Sequence, residues 1–365
     1  KFIKVFAAQA IFARYAWGSQ LPSGRSWRGS EHTTASLRQP FLAMASFTDD
    51  LLRGLGALAA LYTCTLLLRF ASTLYCFFLR PGKRLRDYGE WGIVTGATDG
   101  IGRAYAFELA RQGLNVLVIS RTEAKLVEME NEIKERYGSV KVDHLAVDYS
   151  NFDEAARASV RTKIAELDVG VLINNVGMSY PFTKYFHELK DGEVAGLVEL
   201  NVNSTVWMTR LVLGDESTSG MVKRRRGAIV NTSSGAGRMT SPLLAEYSGA
   251  KSFIEMFSKG LKSELAAYNI HVQVQAAIFV ATKLAKIRKT SLTVPSPAAY
   301  ARTAVARIGF EDTVSPWWSH ALQLWSIRQL PEWLVIMIGL KMHLPIRKAG
   351  MRKEAQRAEE EKKGK

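Results

Sequence analysis

Tyr247 and Lys251 are the pair of residues in this sequence best suited to acid–base chemistry. They stand four positions apart in YSGAK, within a helical pattern over 246–268, so both side chains project from one helix face. A phenol has a pKa of about 10, and a neighbouring ammonium stabilises the phenolate and lowers that pKa. The hydroxyl of Ser234, at the end of a predicted strand, can hold a substrate oxygen. The three residues predict proton transfer at a carbonyl or hydroxyl oxygen.

A glycine-rich turn in TGATDGIG, residues 95–102, indicates a phosphate-binding site. Gly96, Gly100 and Gly102 follow a predicted strand and lead into a predicted helix. Glycines at this spacing let the backbone turn tightly and approach a pyrophosphate at the helix N-terminus. Many helices contain YxxxK by chance, and such a turn alone is a moderate signal. The combination predicts a dinucleotide-dependent enzyme, with a purely structural turn as the alternative.

The end of the second predicted strand bears on the choice of nucleotide. NAD enzymes usually place a carboxylate there for the ribose 2′-hydroxyl, whereas this chain has Ser120 and Arg121, with no acid until Glu123. A guanidinium pairs well with a 2′-phosphate. NADP(H) is therefore the expected cofactor, and a solubilising surface role for Arg121 is the alternative.

From residue 90 onward, short apolar runs alternate with amphipathic segments. Six runs predict strands: WGIVTG, NVLVIS, VDHLAV, VGVLINN, GAIVNTSS and HVQVQA. Strands apolar on both faces and separated by helices indicate a parallel sheet covered on both sides. The expected fold is α/β, a doubly wound, Rossmann-like parallel sheet in a single domain over 88–315, with an N-terminal membrane-anchor helix.

The anchor is expected within 44–87. Residues 51–79 are long enough to span a bilayer, although Arg53 and Arg69 interrupt them, and a basic flank follows over 80–86. A buried core helix is the alternative. Residues 1–43 are interpreted as a doubtful extension, either transit-like or preceding a natural start at Met44.

The segment 316–365 is expected to form an amphipathic, basic tail. Its tryptophans suit either the membrane interface or the core of the domain, and residues 347–365 are expected to be solvated. Within the domain, a long loop is expected at 214–220, and the segment 276–278 contains no proline.

Composition narrows the class of protein. The chain has 365 residues, a net charge of +15 and 47% hydrophobic residues, which excludes a disordered or collagen-like chain. The only cysteines, Cys64 and Cys76, cannot form a disulfide framework or a zinc site, so no metal is expected. The charge favours nucleic acid, an anionic membrane or a polyanionic small molecule. Because KRRR at 223–226 has no interleaved aromatics, nucleic acid is not expected, and this run is expected to face solvent, lipid or coenzyme A phosphates.

The chain resembles the short-chain dehydrogenase/reductase family over 90–285, with every expected motif in order. The resemblance implies that Asn201, Ser234, Tyr247 and Lys251 form a catalytic tetrad. It also implies that Asp148 contacts adenine, that the NNVG motif includes Asn175, and that Thr282 contacts the nicotinamide carboxamide. The full set of expected cofactor contacts is Gly96, Thr98, Asp99, Gly100, Ile101, Gly102, Arg121, Asp148, Asn175, Tyr247, Lys251 and Thr282.

Within that family, NNVGMSY, FVATKLAKIRK and the apolar N-terminal segment resemble the microsomal very-long-chain 3-oxoacyl-CoA reductases and type-12 17β-hydroxysteroid dehydrogenases. This resemblance implies NADPH-dependent reduction of long-chain 3-oxoacyl-CoA in fatty-acid elongation. It implies an endoplasmic reticulum membrane protein with a cytosolic catalytic domain, working beside other elongation enzymes. Lys362 and Lys363 fit a dilysine retrieval signal. A keto-steroid reductase with the same tetrad and an inactive membrane scaffold are the alternatives.

Overall fold

Seven parallel strands form one sheet in the order β3-β2-β1-β4-β5-β6-β7. This computed structural model describes the backbone of residues 32–363 and the side chains of residues 47–362. The strands are β1 Trp91–Thr95, β2 Asn115–Ser120, β3 Val142–Ala146, β4 Val169–Asn174, β5 Gly227–Ser234, β6 Ile270–Ala277 and β7 Thr313–Val314. The doubly wound parallel sheet expected from the sequence is confirmed. The two-residue β7 was not predicted, because so short a strand has no period to detect.

Helices of the same unit cover the sheet on both faces. The described helices of the whole chain are α1 His32–Leu74, α2 Gly100–Arg111, α3 Glu123–Arg136, α4 Glu154–Ile164, α5 Asp191–Val198, α6 Ser204–Leu213, α7 Met221–Arg224, α8 Ala245–Leu265, α9 Pro297–Val305, α10 Trp318–Arg328 and α11 Glu332–Lys363, of which α1 belongs to a separate unit. Successive strand residues point to opposite faces, so Ile93 and Val94 belong to different cores. Val94 packs with Tyr105 of α2 and Tyr300 of α9. Ile93 packs with Met208 of α6 and other side chains of the second core.

The strand order reverses between β1 and β4, where neighbouring strands lead into connections on opposite sides. Ligands of open α/β sheets bind in the crevice that forms at the carboxyl ends of strands at such a switch point. The glycine turn follows β1 and Asn175 follows β4, so both predicted cofactor motifs lie beside this crevice.

The chain divides into two units, residues 1–75 and 76–365. The described part of the first unit is the helix α1, which continues into a π-helical turn at Tyr75–Leu79. The stretch Phe47–Leu79 is long and apolar enough to cross a membrane, and its most apolar window is not buried. Side chains of this stretch such as Leu58 and Phe70 are exposed. Most of the doubtful extension, residues 1–31, lies outside the described residues.

The C-terminal helix α11 contacts other parts of the second unit through ion pairs. Arg347 forms an ion pair with Glu188, and Lys184 Nζ lies 3.3 Å from Glu354 Oε1. The segment 347–362 is largely exposed, but Arg347 and Glu354 also form ion pairs with the domain, which the prediction of a solvated end did not include. Trp325 and Trp333 are exposed, whereas Trp317 donates a hydrogen bond to the Leu292 carbonyl at 3.1 Å. The tryptophans of the tail thus divide between packing and surface positions.

Candidate active site

The turn after β1 is a tightly packed backbone loop. Gly96 and Gly100 adopt positive φ angles of 63° and 55°. A Cβ atom on Gly102 would lie 2.2 Å from the carbonyl oxygen of Gly96, so no larger residue fits there. The Asp99 carboxylate accepts a hydrogen bond from the Gly100 amide at 2.7 Å and caps α2. The turn therefore leaves backbone amides without covering side chains at the N-terminus of α2, and binding of a pyrophosphate requires such amides.

Asn175 holds the glycine turn against β4. Its Nδ2 atom donates to the carbonyl oxygens of Thr95 at 3.2 Å and Gly96 at 3.3 Å. In return, Thr95 Oγ1 accepts from the backbone amides of Asn175 at 3.0 Å and Val176 at 3.2 Å. This role of Thr95 was not predicted from the sequence. The signal that could have indicated it is the position of Thr95 as the last residue of β1, directly before the glycine turn.

Ser234, Tyr247 and Lys251 lie together at the carboxyl end of β5 and the start of α8. Ser234 Oγ accepts from the Ala236 amide at 3.2 Å, which fixes the serine at the strand end. Lys251 is 5% exposed, and its ammonium donates to the Thr232 carbonyl at 3.3 Å. The same ammonium lies 5.9 Å from the centroid of the Tyr247 ring. The arrangement places a phenol, a hydroxyl and a cation around one point.

The electrostatics of this cluster differ from the sequence expectation. Burial raises the pKa of the Tyr247 phenol, and a hydrogen bond with Ser234 opposes that rise. Burial also lowers the pKa of Lys251 to about 8. We expected the ammonium to lower the pKa of the phenol. In the protein without a bound cofactor this expectation is wrong, because the pKa of Tyr247 is raised. Desolvation by burial is the largest cause of the raised pKa.

Asn201 occupies a π-helical turn, Glu199–Asn203, between α5 and α6. The side chain is fully buried, and its Nδ2 donates to the carbonyls of Met178 at 2.9 Å and Leu197 at 3.0 Å. Its Oδ1 atom has no hydrogen-bond partner among the described residues. Because π-helical turns are rare and concentrate at functional sites, the distortion agrees with a special position for Asn201.

Gly177 separates the Asn201 amide from the Lys251 ammonium. A Cβ atom placed on Gly177 would lie 2.7 Å from Asn201 Oδ1 and 3.2 Å from Lys251 Nζ. The missing side chain therefore leaves a small polar gap between an unsatisfied acceptor and a cation. Gly177 is the last residue of NNVG, and its role could not be predicted from the sequence because the gap forms between residues that are distant along the chain.

The opposite end of the crevice contains Arg121 and Asp148. Arg121 is exposed and forms no ion pair within the described part of the chain. Hydrogen bonds from the Ser150 amide at 3.0 Å and hydroxyl at 2.7 Å lower the pKa of Asp148, assisted by the charge of Arg121. Thr98 Oγ1 lies 2.9 Å from Ser120 Oγ, which links the glycine turn to the end of β2. This end can receive a phosphate beside an ionised carboxylate.

Thr282 is brought onto the glycine turn from the segment after β6. A Cβ atom on Gly100 would lie 3.3 Å from its methyl carbon, and its Oγ1 accepts from the Ala285 amide at 3.1 Å. An ion pair of 2.9 Å between Lys283 and Asp99 crosses the same junction. The loop thus meets the turn although residues 276–278 contain no proline.

The basic run 223–226 is largely used within the fold. Arg224 Nε and Arg226 Nη2 lie 3.1 Å and 2.9 Å from the Asp168 carboxylate. Arg224 also donates to the Val169 carbonyl at 2.7 Å. The expectation that the whole run faces solvent, lipid or a ligand is therefore wrong for Arg224, whereas Arg226 is exposed as well as paired.

The sheet, the glycine turn and the cluster beyond β5 are those of a dinucleotide-dependent oxidoreductase. The sequence model of the short chain dehydrogenase family matches residues 90–292. The chain belongs to this family.

Two of its relatives share most of its length. The chain is 41% identical over 257 residues to the very-long-chain 3-oxoacyl-CoA reductase of Homo sapiens, covering 70% of this chain and 80% of the relative. It is 40% identical over 274 residues to a very-long-chain 3-oxoacyl-CoA reductase-like protein of Arabidopsis thaliana, covering 72% and 86%.

Solved structures with the same fold include a short-chain dehydrogenase from Sphingobium yanoikuyae in complex with NADPH. It is 26% identical, with a TM-score of 0.56, and the match covers 66% of this chain and 92% of that one. A 3-oxoacyl-[acyl-carrier protein] reductase from Brucella melitensis is 28% identical with a TM-score of 0.53, covering 59% and 83%.

Proposed function

We propose that this chain uses NADPH to reduce the 3-oxo group of long- and very-long-chain 3-oxoacyl-CoA to the 3-hydroxyacyl-CoA, a step of fatty-acid elongation. The observation that carries the proposal is the meeting of Ser234, Tyr247 and Lys251 beside the glycine turn, in a chain similar over most of its length to reductases of that name. The reaction adds a hydride to the carbonyl carbon and a proton to its oxygen.

The described residues fit a bound NADP(H). The turn at Gly96–Gly102 offers backbone amides to a pyrophosphate, and Arg121, which forms no ion pair among the described residues, offers a guanidinium to a 2′-phosphate. The similar Sphingobium enzyme is in complex with NADPH, which supports the same choice here. When bound, the cofactor supplies the hydride.

The side chains of the tetrad then have distinct roles. Ser234 and Tyr247 hold the carbonyl oxygen, and the Tyr247 hydroxyl donates the proton to it. A pKa raised by burial keeps that phenol protonated and ready to donate at neutral pH. Lys251 holds the ribose hydroxyls, and its positive charge stabilises the phenolate left after transfer.

Asn201 takes part in the proton relay that returns a proton to Tyr247. Its unsatisfied Oδ1 faces the gap beside Gly177, with the Lys251 ammonium on the other side. A water molecule in that gap can accept hydrogen bonds and donate to both the amide oxygen and a further solvent molecule. We assign to it the relay that reprotonates Tyr247.

The remaining architecture supports a membrane enzyme. We propose that 44–87 form the anchor and its basic flank, 88–315 the catalytic domain and 316–365 the tail, with 1–43 an extension. The apolar Phe47–Leu79 helix supports the anchor. The basic flank over 80–86 supports a cytosolic catalytic domain, and we place it at the endoplasmic reticulum beside other elongation enzymes.

The proposal is tested with full-length protein in detergent, by following NADPH oxidation with a long-chain 3-oxoacyl-CoA and with estrone. Preferred turnover of the acyl-CoA supports the proposal. Preferred turnover of estrone would make the chain a keto-steroid reductase, and failure with every ketone tried would favour a scaffold.

A further inference from the structure

A deep groove lies beside the cofactor turn, on the outer side of α2. Its volume is about 830 Å³, and its walls come from α2, the end of α3, the loop 281–288 and the start of α9. It meets the expected cofactor contacts only at Asp99, Gly100 and Thr282. The other expected contacts, including Arg121, Asp148 and Asn175, do not line it. The groove is therefore a neighbour of the dinucleotide site and extends away from it.

Positive charge dominates the groove. Its charged lining comprises two acids, Asp99 and Glu108, and seven bases: Arg103, Arg111, Arg136, Lys283, Lys286, Arg288 and Arg302.

Internal ion pairs neutralise only part of this charge. Both acids are already paired, Asp99 with Lys283 at 2.9 Å and Glu108 with Arg111 at 2.6 Å. Arg103 pairs with Glu132 outside the lining. Four cations remain without a carboxylate partner among residues 47–362: Arg136, Lys286, Arg288 and Arg302. A concave surface with that excess attracts a polyanion.

Two aromatic rings add a second kind of contact. Phe107 and Tyr137 both line the groove. The Arg103 guanidinium lies 4.6 Å from the Phe107 centroid, and that of Arg136 lies 5.6 Å from the Tyr137 centroid. Aromatic rings and guanidinium planes are the groups on which a nucleobase stacks. The groove thus combines partners for phosphates with partners for a planar base.

The loop that forms one wall is tied to the active site. Lys286 donates a hydrogen bond to the carbonyl of Pro181, in the segment that follows NNVGMSY. At its inner end the groove reaches Thr282, which rests on the glycine turn. A ligand lying in the groove therefore points one end toward the expected position of the nicotinamide.

We infer that this groove binds the 3′-phosphorylated adenosine diphosphate of coenzyme A, so that the acyl-pantetheine arm enters the active site past Thr282. The inference rests on the proposed function, because only a coenzyme A ester brings this polyanion. Phe107 and Tyr137 line the same groove, and their rings favour a ligand with a planar base over a lipid headgroup.

The test is the double variant Arg136→Glu, Arg302→Glu, whose side chains line the groove from two different helices, α3 and α9. The KM for a long-chain 3-oxoacyl-CoA should rise about tenfold or more, since charge-assisted contacts to phosphate are lost. The KM for the matching 3-oxoacyl-pantetheine, which lacks the nucleotide, should not change, nor should the KM for NADPH. Lys259→Glu, an exposed cation of α8 outside the groove, is the matched control and should leave all three constants unchanged.

Other outcomes overturn the inference. Equal rises for the acyl-CoA and the acyl-pantetheine would mean a general defect, and a rise confined to NADPH would assign the groove to the cofactor. Unchanged kinetics with weaker binding to phosphatidylserine vesicles would make it a lipid surface. Calorimetric titration of free coenzyme A into the NADP-loaded protein is independent of turnover. If the wild type binds coenzyme A and the double variant does not, the groove is a coenzyme A site even where the proposed reduction fails.

Discussion

Asn201 Oδ1 and Lys251 Nζ converge on a single point beside Gly177, where an added Cβ atom would lie 2.7 Å from the first and 3.2 Å from the second. The acceptor is buried without a partner among the described residues, and the ammonium has one backbone acceptor, the Thr232 carbonyl. An unsatisfied buried acceptor is costly, so its retention needs a reason. We propose that a water or a cofactor hydroxyl in the gap supplies one and joins the tetrad to the proton supply.

Gly177→Ala tests that gap. The new methyl group would occupy the gap and push against the Asn201 amide, so we expect kcat to fall by about tenfold or more. Thermal unfolding should show a protein that is still folded. The control is Gly260→Ala on α8, where nothing lies within 4 Å of the new Cβ. A Gly177→Ala enzyme with normal kcat would show that the gap has no part in turnover.

Arg121→Gln tests the choice of cofactor. Removing the guanidinium should raise the KM for NADPH by about tenfold, because its charged contact to the 2′-phosphate is lost. The KM for NADH, which has no such phosphate, should stay the same or fall. Steady-state kinetics with both nucleotides on one preparation provide the internal control. Equal effects on both would place Arg121 outside the 2′-phosphate site.

Lys251→Met tests the cost of burying the ammonium. The pKa of Lys251 is lowered from 10.5 to about 8, so the unfolded chain binds more protons than the folded protein between these two values. The stability of the wild type should therefore rise as the pH increases from about 8 to about 10.5. Below pH 8 the folded protein carries the full penalty, at most about 3 kcal/mol by the shift of the pKa.

We accordingly expect Lys251→Met to be inactive but more stable than the wild type at pH 7, with that advantage shrinking toward pH 10. Chemical unfolding of the cofactor-free protein across this pH range measures the difference. The exposed Lys259→Met serves as the control. A variant that is less stable at every pH would mean that the hydrogen bond to the Thr232 carbonyl outweighs desolvation.

The fold was predictable because its signals are local. Six of seven strands are apolar runs bounded by turns, and the glycine turn shows its spacing within eight residues. Helical periodicity likewise placed Tyr247 and Lys251 on one face. Each of these features depends on neighbours along the chain, so each can be predicted from the sequence alone.

The features that were missed depend on neighbours in space. The π-helical turn at Asn201 has no sequence period, and the gap at Gly177 exists only because β4 and α8 converge. The direction of the Tyr247 pKa shift followed from burial, which a spacing argument does not measure. The return of α11 onto Glu188 links residues far apart in the chain, so its charges could only be predicted as solvated.

Tyr247→Phe isolates the proposed acid. It removes the hydroxyl that we propose as the proton donor to the carbonyl oxygen, so we expect kcat to fall by about 10²–10⁴-fold. Fluorescence titration should show NADPH binding within about twofold of the wild type, because the expected nucleotide contacts other than the Tyr247 hydroxyl remain. Near-normal turnover would mean that another group donates the proton.

The most direct test of the whole account is the rate of NADPH oxidation by the full-length, detergent-solubilised protein with a long-chain 3-oxoacyl-CoA, measured beside the Tyr247→Phe variant. We expect the wild type to form 3-hydroxyacyl-CoA in an amount equal to the NADPH consumed, and the Tyr247→Phe variant to form almost no 3-hydroxyacyl-CoA. Wild-type protein that binds NADPH but leaves the 3-oxoacyl-CoA unreduced would contradict it.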